Sequence, residues 1–416
     1  MTGASETHIL KPMQPYNQKP KSHPSTGTMS RRQFLRNTTL ASAAVTLGLQ
    51  PQARAEVAIE ILDTRVISHE PQYYHGWPTI ARRRNGQLLV VCSGGRENHV
   101  CPFGRVELMV SSDNGMTWGW PQVLLDSAID DRDAGVMETA KGTILVASFT
   151  SLAYEPLLAE ALKKKPGEQG AWPTERLKAW EAAHNRLTAE QRKAELGQWM
   201  IRSTDGGVTW SARYPTIVNS PHGPTQLADG RLLYAGKELW TKEERPGICE
   251  SSDDGQSWRW LSAIPARPGD DVKNYHELHA VETGDGRILV QIRNHNKANN
   301  DETLQTESTD GGKTWSEPHP IGVWGLPSFL TRLQSGRLVM TYGYRRAPFG
   351  NQARFSDDQG RTWSKPLIIS GDGAGGDLGY PSTVELADGS LLTVWYESMK
   401  GMRAVLRQAR WRLKDA

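Results

Sequence analysis

The chain has 416 residues, with 49 Lys and Arg against 46 Asp and Glu and a formal net charge of +3. That length permits a large core, and the charge balance excludes the one-signed surface that nucleic-acid binding requires. Fifteen Trp against six Phe is an unusual ratio, which assigns many Trp to a repeat or a binding surface, and 40 Gly with 24 Pro call for many turns. Cys92, Cys101 and Cys249 do not make a disulfide framework, and the sequence leaves open whether Cys92 and Cys101 pair.

Residues 1–55 read as a polar tail and a signal. Arg31 and Arg32 are followed by Phe34, Leu35, a mild apolar stretch and the small-x-small ending Ala53-Arg54-Ala55. This pattern predicts a bacterial twin-arginine signal, with the twin-arginine export machinery as partner and a periplasmic or secreted destination. No run elsewhere approaches the ~18 apolar residues of a membrane span, so none is expected in the mature chain.

From residue 56 onward the chain repeats. Turns ending in Gly precede short apolar runs at Asn85, Lys141, Asp229, Asp285, Ser335 and Asp388, as in "NGQLLVV" and "DGRILVQ". A Gly in such a turn supplies a positive φ, and the Leu/Ile/Val-rich run after it reads as a buried strand. Five of the six are followed by Ser-x-Asp-x-Gly-x-x-Trp or a close variant, starting at Ser111, Ser203, Ser251, Ser308 and Ser356. Each unit then holds four antiparallel strands, and six units predict an all-β, six-bladed β-propeller over 56–416. "VAIEILDTRVI" after the signal would complete the last blade. The Asp is expected to accept backbone N–H groups in a tight turn, and the Trp to pack against its own blade. The acidic series is too short for an EF-hand loop, and neither metal nor cofactor is expected. Residues 152–198 break the period with Ala, Leu, Glu and Lys at helical spacing, predicting a helical insertion in blade two.

In a four-stranded meander the Gly turns and the Trp phrases share one face. The opposite face collects Arg96, Glu97 and His99 of blade one, Asp130, Asp131 and Asp133 of blade two and His222 of blade three. Glu277 and Arg293 of blade four, Arg345 and Arg346 of blade five and Tyr380 of blade six join them. Residues at the starts of innermost strands converge on the axis, which points to an anionic or sugar-like ligand there.

The repeated phrase resembles the Asp box of the sialidase (neuraminidase) superfamily, and the likeness runs roughly from Tyr74 to Tyr396. Such enzymes use an arginine clamp for the substrate carboxylate, a Tyr nucleophile paired with a Glu, and an Asp acid/base. The resemblance of "YHELHAVETGDGRILVQIRN" implies Glu277 as the partner and Arg293 as a clamp residue. "TYGYRRAPFGNQARF" implies Arg346, with Arg345 as alternate; "GYPSTVELADG" implies Tyr380 as nucleophile, and "SGGREN" implies Arg96. Asp133, with Asp131 beside it, matches the substrate-contacting Asp of blade two. The family's Phe-Arg-Ile-Pro motif aligns with His75-Gly76-Trp77-Pro78, so Gly76 replaces one clamp arginine, and Trp77 would suit stacking on a sugar. The loop after Arg96 holds no Asp, leaving His99 or Glu97 as the acid/base.

The leading expectation is an exported, sialidase-like exo-glycosidase that hydrolyses terminal sialic acid or a related acidic sugar on a glycan. A second is a propeller glycosidase or lyase acting on uronate-containing polysaccharide, with His99, His222 or Tyr380 moving the proton. A third is a non-catalytic carbohydrate-binding propeller.

Overall fold

A computed structural model describes residues 58–414. The twin-arginine segment lies outside the described residues. The strands form six sheets of four. Five sheets run in chain order from the innermost strand outward, starting at Tyr74–Arg82, Asp130–Glu138, Thr225–Gln226, Tyr275–Glu282 and Ser328–Arg332. The sixth starts at Leu378–Glu385 and takes its outermost strand, Ala58–Val66, from the other end of the chain. Ala58–Val66 pairs antiparallel with Ala404–Lys414, from Ala58 opposite Lys414 to Val66 opposite Arg407. This closes the ring and leaves no open seam between blades six and one.

Apolar side chains of the second and third strands pack between blades. Leu88, Val90 and Met109 of blade one meet Leu392, Val394 and Leu406 of blade six, all nearly inaccessible. Leu233 and Ile248 meet Ala280, Ile288 and Leu304 in the same way.

The Ser-x-Asp-x-Gly-x-x-Trp phrase works at these joints. In blade three, Asp253 Oδ1 accepts from Ser257 N at 3.0 Å and from Ser251 Oγ at 2.7 Å. Ser251 Oγ in turn accepts from Gly255 N at 2.9 Å. Gly255 has φ +79°, and a Cβ there would meet Leu145 of blade two at 2.6 Å. Trp258 packs on Tyr234 of its own blade, as the sequence leads one to expect, but in three other copies the Trp reaches outside its blade. Trp118 Nε1 donates to Gln408 of blade six, Trp315 to Ser262 of blade three and Trp363 to Gln305 of blade four, at 2.8 to 3.2 Å. Three of the five copies therefore tie one blade onto the preceding one.

The insertion folds as three helices, α1 (Glu155–Leu162), α2 (Thr174–His184) and α3 (Ala189–Ala194), between two strands of blade two. Tyr154, Leu158 and Trp180 form a small core with Cys101 and Phe103 of the blade-one loop. Cys92, Cys101 and Cys249 are all buried free thiols, so Cys92 and Cys101 do not pair. No helix among the described residues is long and apolar enough to cross a membrane.

Asp253→Ala should lower stability by about 1–2 kcal/mol through its lost turn hydrogen bonds, with kcat of the folded protein unchanged. Thermal melts alongside turnover check this; a normal melt with lost turnover would make the phrase part of the chemistry.

Candidate active site

Four innermost strands break their ladder at the same place. Pairing skips from Gly76 to Thr79, Arg132 to Gly135, His276 to His279 and Gly379 to Ser382. The first looped-out residue in each is left-handed: Trp77 (φ 54°), Asp133 (45°), Glu277 (44°) and Tyr380 (53°). Non-glycine residues adopt this region at a cost, and it recurs at functional sites. The same offset from the hairpin glycine places Pro221 and Pro327 at this position in blades three and five.

Tyr380, Glu277 and Arg293 meet. The Tyr380 hydroxyl donates to Glu277 Oε1, and Arg293 Nη1 donates to Glu277 Oε2 and, at 2.9 Å, to the Tyr380 oxygen. Arg293 Nε donates to His295 Nε2 at 2.6 Å, which fixes the fork. Burial, then the charge of Glu277, push the Tyr380 hydroxyl well above its ordinary pKa. Burial also pushes Glu277 up, but Arg293 and the hydrogen bonds from Tyr380 and Arg293 outweigh it and hold the carboxyl below its usual range. At neutral pH the pair is therefore a protonated phenol beside an ionised carboxylate.

Arg345 joins this group. Its guanidinium lies 5.7 Å from the Tyr380 ring centre, and its Nε donates to Leu378 O at 2.9 Å. Arg346 is exposed and lies over Trp324 instead, so the alternate, Arg345, is the arginine beside the nucleophile candidate. Arg96 is fully buried, with both terminal nitrogens on Asp130 at 2.6 and 3.0 Å and others on Ser93 and the His99 carbonyl. Its donors are spent inside the protein, which removes it as a substrate clamp. Arg132, which sequence reasoning passed over between Asp131 and Asp133, lies 4.4 Å over the Trp77 ring. Its nearest carboxylate oxygen, on Asp130, is 3.6 Å away, and its guanidinium makes no hydrogen bond among the described residues.

Asp133 is 7% exposed and its Oδ1 has no partner. Burial, against the pull of Arg132 and with the push of Glu277, raises its carboxyl to about 7. Asp131 is buried too, but its Oδ2 accepts from Ser127 N at 2.6 Å, tying it to the loop ahead of its strand. Trp77 is 1% exposed, so it offers no open face for stacking on a sugar; Arg132 covers it. His222 is buried with neither ring nitrogen partnered, and burial lowers its pKa to about 3. It packs edge-on to His279 and Phe329 as a neutral ring.

Glu97 and His99 part company. Glu97 pairs with Arg176 at 2.5 Å and accepts from Trp180 Nε1 at 2.5 Å, so it anchors α2 and has no free oxygen for proton transfer. His99 stays half exposed, its ring edge-on to Trp77 at 5.0 Å. Its Nδ1 lies 3.1 Å from Asp377 Oδ1 and 2.9 Å from the Tyr74 hydroxyl. Asp377 escaped sequence reasoning, although it stands just ahead of the Tyr380 segment.

The sequence pattern of the BNR repeat-like domain matches residues 169–393, more than half of the chain. No curated protein matches it in sequence. Among solved structures, a Dyadobacter fermentans DSM 18053 protein of unknown function superposes with a TM-score of 0.69 at 20% identity. It covers 86% of this chain and 100% of its own. The Hadza microbial sialidase Hz136 gives a TM-score of 0.56 at 18% identity, over 81% of this chain and 65% of its own. The intramolecular trans-sialidase from Ruminococcus gnavus gives 0.57 at 14%, over 86% and 97%. At such identities these likenesses speak for the fold. With six blades, five copies of the phrase and a family match over more than half its length, the chain belongs to the BNR repeat-like domain family.

Proposed function

We propose that this protein is a sialidase-like exo-glycosidase that hydrolyses a terminal sialic acid or a related acidic sugar. The observation that carries this reading is the hydrogen-bonded set Tyr380–Glu277–Arg293 at the axis. A 2-keto acid sugar bears a carboxylate on its anomeric carbon, so an anionic nucleophile would approach against like charge. A neutral phenol escapes that repulsion until Glu277 takes its proton at the moment of attack. Arg293, Arg345 and Arg132 supply cations around the same place, and arginine forks suit a carboxylate. Arg132 would take the part left open by Gly76, its guanidinium already parked on Trp77 and short of partners. A neutral Asp133 would donate a hydrogen bond to a sugar hydroxyl or carbonyl oxygen. Read with the twin-arginine segment, the reaction takes place outside the cytoplasm; that part of the proposal rests on the sequence alone.

Tyr380→Phe should lower turnover of an activated aryl glycoside of an acidic sugar by roughly 100-fold or more, with binding of the free sugar largely kept. Glu277→Gln should do likewise, and the double variant should be little worse than either, because the two act as one unit. Mass spectrometry after a fluorinated acidic-sugar inactivator should place the adduct on Tyr380. An adduct elsewhere, or full activity in Tyr380→Phe, would transfer the reading to uronate-type chemistry.

The raised carboxyl of Asp133 also makes a prediction. Between its ordinary 3.8 and about 7, the folded chain keeps a proton that the unfolded chain releases. Its contribution is therefore fully present at low pH and is lost as pH rises through that window. Asp131, also raised to about 7, adds to the same slope. Asp133→Asn should melt a few degrees above the wild type at about pH 8 and equal it at about pH 4. Parallel melting curves at both values would contradict the buried, neutral Asp133.

A further inference from the structure

His99 and Asp377 come from blades one and six, and the Glu277–Tyr380 pair uses neither. Asp377 Oδ1 accepts from the Tyr74 hydroxyl at 3.0 Å and from the Tyr396 hydroxyl at 3.0 Å, and it faces His99 Nδ1 at 3.1 Å. Burial raises this carboxyl, but the His99 hydrogen bond and charge, then the two tyrosines, bring it below its ordinary range. Asp377 is therefore an ionised acceptor with no proton to give.

That settles the tautomer of His99. A carboxylate can only accept, and the Tyr74 hydroxyl already points its hydrogen at Asp377. Nδ1 must then carry the hydrogen that both oxygens face. Nε2 is left without a partner among the described residues, on a ring with half its surface open to solvent. Burial, Arg132 and Arg96 lower the imidazole's pKa, while Asp377 opposes them. Glu97, the other candidate in this loop, is committed to Arg176 and Trp180.

Resting on the exo-glycosidase reading, we propose that His99 Nε2 is the acid/base and that Asp377 is the positioning residue that fixes its tautomer and aim. In the first step the phenolic oxygen of Tyr380 bonds to the anomeric carbon and its proton passes to Glu277. The glycosidic C–O bond breaks, its electron pair stays on the departing oxygen, and His99, which enters the cycle as the imidazolium with a hydrogen on each ring nitrogen, gives that oxygen its Nε2 proton and becomes the neutral Nδ1–H tautomer. In the second step neutral His99 takes a proton from water, the water oxygen bonds to the anomeric carbon, and the Tyr380–carbon bond breaks. The proton held by Glu277 returns to Tyr380, and both residues end as they began.

The test compares leaving groups in His99→Ala and Asp377→Asn. An aryloxide departs without protonation, so kcat/KM for an aryl glycoside should stay within a few-fold of wild type. kcat for it should fall because deglycosylation loses its base, and added azide should restore it. With an alkyl or sugar leaving group, kcat/KM should drop by roughly 100-fold or more. The double variant should match His99→Ala alone. NMR of the His99 ring, read without substrate, should show the Nδ1–H tautomer in the wild type and a lower imidazole pKa in Asp377→Asn. Equal losses for both leaving groups, or an unmoved His99 titration, would overturn the role of Asp377 even with Tyr380 proved as nucleophile. Absence of any glycosidase turnover in the wild type would overturn the functional reading and this role together. If Asp377→Asn fails to fold, the half-exposed His99→Ala still decides through azide rescue and the leaving-group split.

Discussion

Six innermost strands meeting around one axis can point only a few side chains inward. In four of them a bulge near the start decides which. By looping out two residues and turning the first into the left-handed region, it detaches a side chain from the pleat and aims it at the centre. Blades two, four and six put an ionisable group there: Asp133, Glu277 and Tyr380. Blades one, three and five put Trp77, Pro221 and Pro327 there. These two prolines stand ahead of their strands, and with φ fixed at about −65° they cannot take the left-handed turn. The ionisable groups thus alternate with inert ones, and Glu277 and Tyr380 reach each other across the blade that carries Pro327.

Crowding two carboxyls and a phenol into one largely buried centre has an electrostatic consequence. Both carboxylates cannot be charged without compensation. Arg293 sides with Glu277 through direct hydrogen bonds, and Asp133, lacking a partner on Oδ1, is the one that keeps its proton. Neighbouring side chains set the two roles apart. Toward the rim the environment changes: His99 and Asp377 are each partly open to solvent, and the Asp377 charge is held by two tyrosine hydroxyls and by His99 Nδ1.

The fold was legible because it is written six times. Hairpin glycines mark all six blades and the Trp-ending phrase every blade but the last, and the missing copy there was itself a clue to closure by the first strand. The site was legible in part. Tyr380, Glu277 and Arg293 stand at repeat-equivalent positions, where local pattern and three-dimensional position coincide. Glu97 and Arg346 misled because they lie in irregular loops, and Arg96 because it ends its strand, where one residue of offset decides between an open face and a buried ion pair. Arg345 and Arg346 are adjacent yet point to different partners. Arg132 and Asp377 went unseen for the opposite reason: their significance comes from Trp77, and from Tyr74 and His99, on other blades, and no spacing along the chain encodes that. The Trp phrase was read correctly as structural but too locally, since three of its indoles bond across to the preceding blade.

The strand that closes the ring carries a cost in time. Ala58–Val66 is the first described strand, yet its only sheet partner is Ala404–Lys414, the last. Until the far end of the chain has been made, a growing copy can hold at most an open arc. That arc has an unpaired strand edge and an uncovered blade face, the surfaces most prone to join a neighbouring copy. The entropy of closing so long a loop rises only logarithmically with length, so the final state loses little. The wait is kinetic: contacts so distant in sequence form slowly. The exposed interval for this molecule lies between the emergence of the first blade and the docking of the last strand.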